Sequence, residues 1–134
     1  MKTSSRIAFL ALFIAACAGH SPEVRMVGSP DVPAAEGVVR ATAGEHGNTQ
    51  LRIFVRHLAR PEKVRPDATT YVVWLQPPGE PPQNMGALKV DEDLRGSLTT
   101  VTPLRTFDVF ITLERSPTVR APTARNVLSA SIAR

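Results

Sequence analysis

Cys17 is the only cysteine of the chain, and it stands directly after Ile14-Ala15-Ala16. Ahead of it lie Lys2, Arg6 and the apolar run Ile7-Ala8-Phe9-Leu10-Ala11-Leu12-Phe13. A basic start, a short apolar core and small residues before a cut describe a secretory signal. A cysteine at the cut makes this the version in which the sulfur carries lipid. The apolar run is shorter than the ~20 residues that span a bilayer. The sequence therefore predicts a signal over residues 1–16 and a lipidated first residue at Cys17. Two acyl chains anchor a protein stably where one does so only marginally.

The other reactive types do not assemble. His20, His46 and His57 have no second His or Cys at ligand spacing. Asp91-Glu92-Asp93 lacks the distal bidentate acid that a calcium loop needs, and reads as a solvated turn. Ser97 follows Gly96, but the second glycine of a nucleophile elbow is missing. No glycine loop suited to phosphate is present. The expectation is a non-enzyme without cofactor, metal or small-molecule substrate.

The Cys17 stretch resembles the signal of bacterial lipoproteins, which implies a diacylglyceryl group and often an added N-acyl chain. Ala18, rather than Asp, follows the cysteine. In a diderm host this resembles outer-membrane lipoproteins that face the periplasm. Of 16 Lys and Arg, two precede Cys17, which leaves 14 against 12 Asp and Glu. That small surplus is interspersed along the chain, so it is a solvated surface and not a nucleic-acid footprint. With its one cysteine lipidated, the domain would have no disulfide.

The elements that position everything else read as strands. Residues 17–36 hold Gly19, Pro22, Gly28, Pro30 and Pro33 with little apolar patterning. They are expected to form a flexible tether with a span of ~25 Å by random-coil scaling. Residues 37–134 form one domain. Within Thr49 to Leu58, Leu51, Ile53 and Val55 share one face while Arg52, Phe54 and Arg56 share the other. Within Phe107 to Glu114, Phe107, Val109, Ile111 and Leu113 point inward, with Asp108, Phe110, Thr112 and Glu114 outward. Tyr71-Val72-Val73-Trp74-Leu75 is apolar on both faces, so it is a central strand, with Trp74 filling space between the sheets. Val38 to Ala43, Met85 to Val90, Gly96 to Val101 and Val127 to Ile132 complete seven strands. Turn signals separate them. The fold class is all-β, an antiparallel immunoglobulin-like sandwich.

Tyr71-Val72-Val73-Trp74-Leu75, a Pro/Gly turn, Met85-Gly86-Ala87-Leu88, Val109 to Glu114 and Pro122-Thr123 occur in an order that resembles the extracytoplasmic C-terminal domain of the anti-sigma-K factor family. The resemblance covers about residues 70–132. It implies a sandwich outside the cytoplasm and a connection to a sigma-factor pathway. The family's sigma-binding domain and membrane helix are expected to be missing here, with a lipid anchor in their place.

Without a catalytic set, the exposed strand faces are the remaining candidates. Arg52, Phe54 and Arg56 lie on one, and Phe110 with Thr112 on another. If those strands are neighbours, they make one Arg/aromatic patch of the kind enriched at protein interfaces. Two functions are expected: a membrane-anchored binding or scaffold module for a protein or envelope polymer, or an accessory regulator in a sigma/anti-sigma pathway.

Overall fold

A computed structural model describes residues 22–134. The expected signal and Cys17 lie outside the described residues. Nine strands form two antiparallel sheets that face each other: β1 (Glu23–Arg25), β2 (Val27–Gly28), β3 (Glu36–Ala43), β4 (Thr49–Arg56), β5 (Thr70–Gln76), β6 (Gln83–Leu88), β7 (Gly96–Thr102), β8 (Thr106–Glu114) and β9 (Asn126–Ala133). One sheet has the order β1-β3-β4-β7 and the other β2-β9-β8-β5-β6. Helical structure among the described residues is limited to single turns at Glu45–Gly47 and Pro61–Val64. Neither is long or apolar enough to cross a membrane.

The seven expected strands are all present, as β3 to β9. Their order, β3-β4-β7 facing β9-β8-β5-β6, is that of an immunoglobulin-like sandwich. Period-two alternation sets the faces. Leu51, Ile53 and Val55 of β4 meet Val73, Leu75, Val109, Ile111 and Leu128 across the inter-sheet space. Each such aliphatic side chain contributes about 1.5–3 kcal/mol when fully buried. Tyr71 is also buried there, and its hydroxyl donates to the Ala59 carbonyl at 2.6 Å. Burial pushes this phenol up to about 12, with the charge of Glu62 adding to the effect.

Two expectations are corrected. The tether does not run to residue 36, because Glu23 to Arg25 pair with Arg40 to Val38, and Val27 and Gly28 pair with Ser129 and Leu128. The chain therefore lies along one sheet and steps to the other at Met26. Met26 is buried against Gly37, and its amide donates to the Gly37 carbonyl at 2.8 Å. Val32 is buried as well. Strands of two and three residues are too short for alternation to be visible in the sequence. They cover edges that β3 and β9 would otherwise present to solvent.

The second correction concerns Trp74. It lies on the outer side of β5, outside the inter-sheet core, in a separate cluster with Val72, Phe110 and Val119. Strand β5 is apolar on both faces because it is covered on both: by the opposite sheet within, and by the segment 115–125 without.

Candidate functional site

The outer face of the four-stranded sheet is built by register. Glu36 stands opposite Arg56, Val38 opposite Phe54 and Arg40 opposite Arg52. On the β7 side, Phe54 meets Ser97 and Arg52 meets Thr99. On the β1 side, Arg40 meets Glu23 and Val38 meets Arg25. The result is one surface with Arg25, Arg40, Arg52 and Arg56 around Phe54, against two carboxylates. Phe54, at the centre of this face, is 45 % exposed.

Two of the four arginines are neutralised locally. Arg40 Nη2 donates to Glu23 Oε2 at 2.8 Å, and Arg56 Nε donates to Glu36 Oε2 at 2.6 Å. The Arg56 guanidinium bonded to Glu36 holds its carboxyl below the usual value. Both pairs are solvent-exposed, so each contributes little to stability. Arg25 and Arg52 have no carboxylate within ion-pair distance among the described residues. At one end the face deepens into an open groove of about 810 Å³, lined by Arg25, Glu36, Phe54, Arg56, Lys89 and Arg95, among others. Gly96 forms part of its wall, and a Cβ there would lie 2.7 Å from the Lys89 carbonyl oxygen. This surface can bind anionic or planar groups.

Phe110 and Thr112 do not join it. They belong to β8 in the other sheet, so the expected single patch is not formed. Both are buried: Phe110 lies against Trp74 with ring centroids 6.4 Å apart at 18°, and Thr112 is fully enclosed. Trp74 Nε1 donates to Thr112 Oγ1 at 2.8 Å, and that hydroxyl donates to Glu114 Oε1 at 2.7 Å. Thr123 completes the chain, its amide donating to Glu114 Oε1 at 3.0 Å and its hydroxyl to Oε2. Asn84 Nδ2 donates to the carbonyls of Pro117 and Val119 at 2.9 and 2.8 Å. Asp67, bonded to Arg115 and 2.7 Å from Arg65, grips the start of the same segment. The Arg115 bond holds the Asp67 carboxyl below its ordinary value.

The chain matches no protein-family model and no curated protein. Geometry alone therefore distinguishes its surfaces.

The remaining reactive residues are scattered. His46 lies in the turn after β3 and His57 directly after β4, both exposed and both with positive φ. His20 lies outside the described residues. Asp91, Glu92 and Asp93 are exposed in the connection between β6 and β7, where Asp91 Oδ1 accepts the Arg95 amide at 2.9 Å. Among the described residues no group of three or more His, Cys, Asp and Glu could hold a metal. Ser97 lies on the β7 outer face across from Phe54. Sequence reasoning missed the Trp74–Thr112–Glu114–Thr123 chain. Its members come from β5, β8 and the segment before β9, and no spacing in the sequence links them.

Proposed function

We propose that this chain is a lipid-anchored, non-catalytic binding or scaffold module of the bacterial cell envelope. Its contact surface is the outer face of the four-stranded sheet. The observation that carries this reading is the exposed Arg52-Phe54-Arg56 row, left uncovered on a face whose counterpart in the other sheet is closed. Interfaces favour arginine with aromatic residues, and exposed apolar area among cations is a mark of contact surfaces. The anchor is Cys17, cleaved and lipidated on the extracytoplasmic side. In a diderm host, Ala18 directs the protein to the outer membrane, facing the periplasm.

Cell fractionation of wild-type and Cys17→Ala protein tests the anchor, since the variant is expected to leave the membrane fraction. A variant that stays there would refute lipidation. In-cell crosslinking from the Phe54 position tests the face, with the Asp108 position on the other sheet as control. Crosslinks from Asp108 alone would reassign the contact surface.

One observation favours a second reading. Trp74, Thr112, Glu114 and Thr123, which carry much of the resemblance to the anti-sigma-K C-terminal domain, act as one structural unit. On that reading the protein is an extracytoplasmic accessory regulator that works through a membrane-spanning partner. Gene deletion should then change sigma-dependent transcription, and unchanged transcription would count against it.

A further inference from the structure

We infer that the outer face of the four-stranded sheet lies on the anionic headgroup surface of the bilayer that holds the anchor. The inference rests on the proposed lipidation of Cys17 and specifies what occupies the face. Three observations converge on it.

The first is the length of chain outside the fold. Strand β1 begins at Glu23. Only six residue steps separate it from Cys17, and fully extended they reach at most about 22 Å. The anchored domain is therefore held within about 22 Å of the leaflet.

The second is where that short connection joins the fold. Glu23 lies on the edge strand of its sheet, opposite Arg40 midway along β3 and not at a tip of the sandwich. The domain is thus held by its flank. Neighbouring strands are about 4.8 Å apart, so the face from β1 to β7 extends only about 15 Å from the attachment. All of it lies within reach of the headgroups when the domain tips onto this side.

The third is charge. Arg25, Arg40, Arg52 and Arg56 project from this face against Glu23 and Glu36, and Lys89 and Arg95 extend it at the groove end against Asp91, so six cations face three carboxylates. On the outer side of the five-stranded sheet the exposed cations Arg115, Arg120 and Arg125 are carried by the covering segment 115–125 and not by the strands. The shallow depression on that side, which includes Val27 and Asp108, is lined by no Lys or Arg. Basic side chains near a leaflet are drawn to anionic lipid within a Debye length. Phe54, half out of the sheet among the arginines, supplies an apolar ring for the interface.

The test places one tryptophan on each face. The native Trp74 is fully buried, so it contributes a constant background. Phe54→Trp and Val27→Trp replace exposed side chains, and both variants are expected to fold. Each protein, purified from membranes with its lipid, is reconstituted into vesicles carrying a lipid-borne quencher. One set is pure phosphatidylcholine, and the other contains about one-third phosphatidylglycerol, the anionic lipid that should attract the arginines. In the anionic vesicles the indole at position 54 should be quenched about threefold more than in neutral ones. The difference should vanish in about 1 M salt, where screening acts within ~3 Å. Adding Arg25→Glu and Arg52→Glu should abolish it at low salt. The indole at position 27 should be indifferent to lipid charge.

Flotation with both vesicle types but equal quenching at position 54 would keep the anchor and overturn the orientation. Stronger quenching at position 27 would assign the other face. Shielding at position 54 that appears only when solubilised envelope protein is added would give the face to a protein and overturn the inference. Flotation with anionic vesicles alone would sink the lipid anchor while supporting the face. Flotation with neither would sink both.

Discussion

The two outer faces of this sandwich begin from the same sequence pattern and end in opposite states. Strand β4 places Arg52, Phe54 and Arg56 outward, and strand β8 places Asp108, Phe110, Thr112 and Glu114 outward. Phe54 is 45 % exposed and Phe110 is 7 % exposed. The difference does not come from the strands. It comes from segment 115–125, which folds back over β8 and β5 and brings Val119 onto Trp74 and Phe110. Alternation settles which side of a sheet a residue occupies, but not whether that side meets water. The covered face is a second, small core. The bare one is what remains for contact.

The largest effect should come from opening the covered face. Trp74→Ala removes the centre of the outer cluster and the donor to Thr112, and should cost about 3–5 kcal/mol in chemical denaturation. A cost below about 1 kcal/mol would mean that the cluster is not a core, which removes the contrast between the faces. Next comes Glu114→Ala. It leaves the Thr112 and Thr123 donors without their acceptor, for a loss of about 2–3 kcal/mol. Tryptic cleavage at Arg115, Arg120 or Arg125 should accelerate as the segment lifts. If stability falls while cleavage does not change, Glu114 supports β8 and not the segment.

Tyr71 lies between the faces and calibrates both. Its phenol rises from the ordinary 10.0 to about 12 in the folded chain. The folded state therefore holds the proton more tightly than the unfolded state does. That contribution is fully present below pH 10 and is lost as pH rises from 10 to 12. Tyr71→Phe should cost about 1–2 kcal/mol at neutral pH, because the Ala59 carbonyl loses its donor. The variant should also lose the part of the alkaline slope that belongs to this residue. An unaltered pH profile would show that another group governs the alkaline limb.

The seven long strands, their faces and the sandwich were legible because each carries five or more residues of alternating or two-sided apolar pattern. The row Arg52-Phe54-Arg56 was legible for the same reason. The failures have one origin, the contacts made by segments without period. Met26 and Val32 sit among Gly28, Pro30 and Pro33, a composition that reads as linker, yet both are buried. The short strands β1 and β2 on either side of Met26 are defined by the edges of β3 and β9, which no local pattern of residues 22–36 encodes. Thr112 and Glu114 looked solvent-facing by alternation. Only the pairing of Glu114 with Thr123, nine residues on, encloses them. The motifs were visible one by one, whereas their meeting is a property of the fold.

The smallest stability effect should come from the bare face, and it is the most informative about function. Arg52 stands directly across from Arg40 on β3, and like charges in that position repel. Arg40 is already bonded to Glu23, which leaves Arg52 without a local carboxylate among the described residues. Arg52→Glu places an acid opposite Arg40 and should change stability by no more than about 0.5 kcal/mol, in the stabilising direction. Phe54→Ser should be similarly mild, since nearly half of that ring is already in water. Denaturation of the Arg52 variant beside its lipid-quenching signal makes the decisive pair. A more stable protein with weakened membrane contact means that the arginine is kept against the interest of the fold, as a contact residue would be. A loss of more than about 1 kcal/mol would make Arg52 a structural residue, and the contact surface would then have to rest on Arg25 and Phe54.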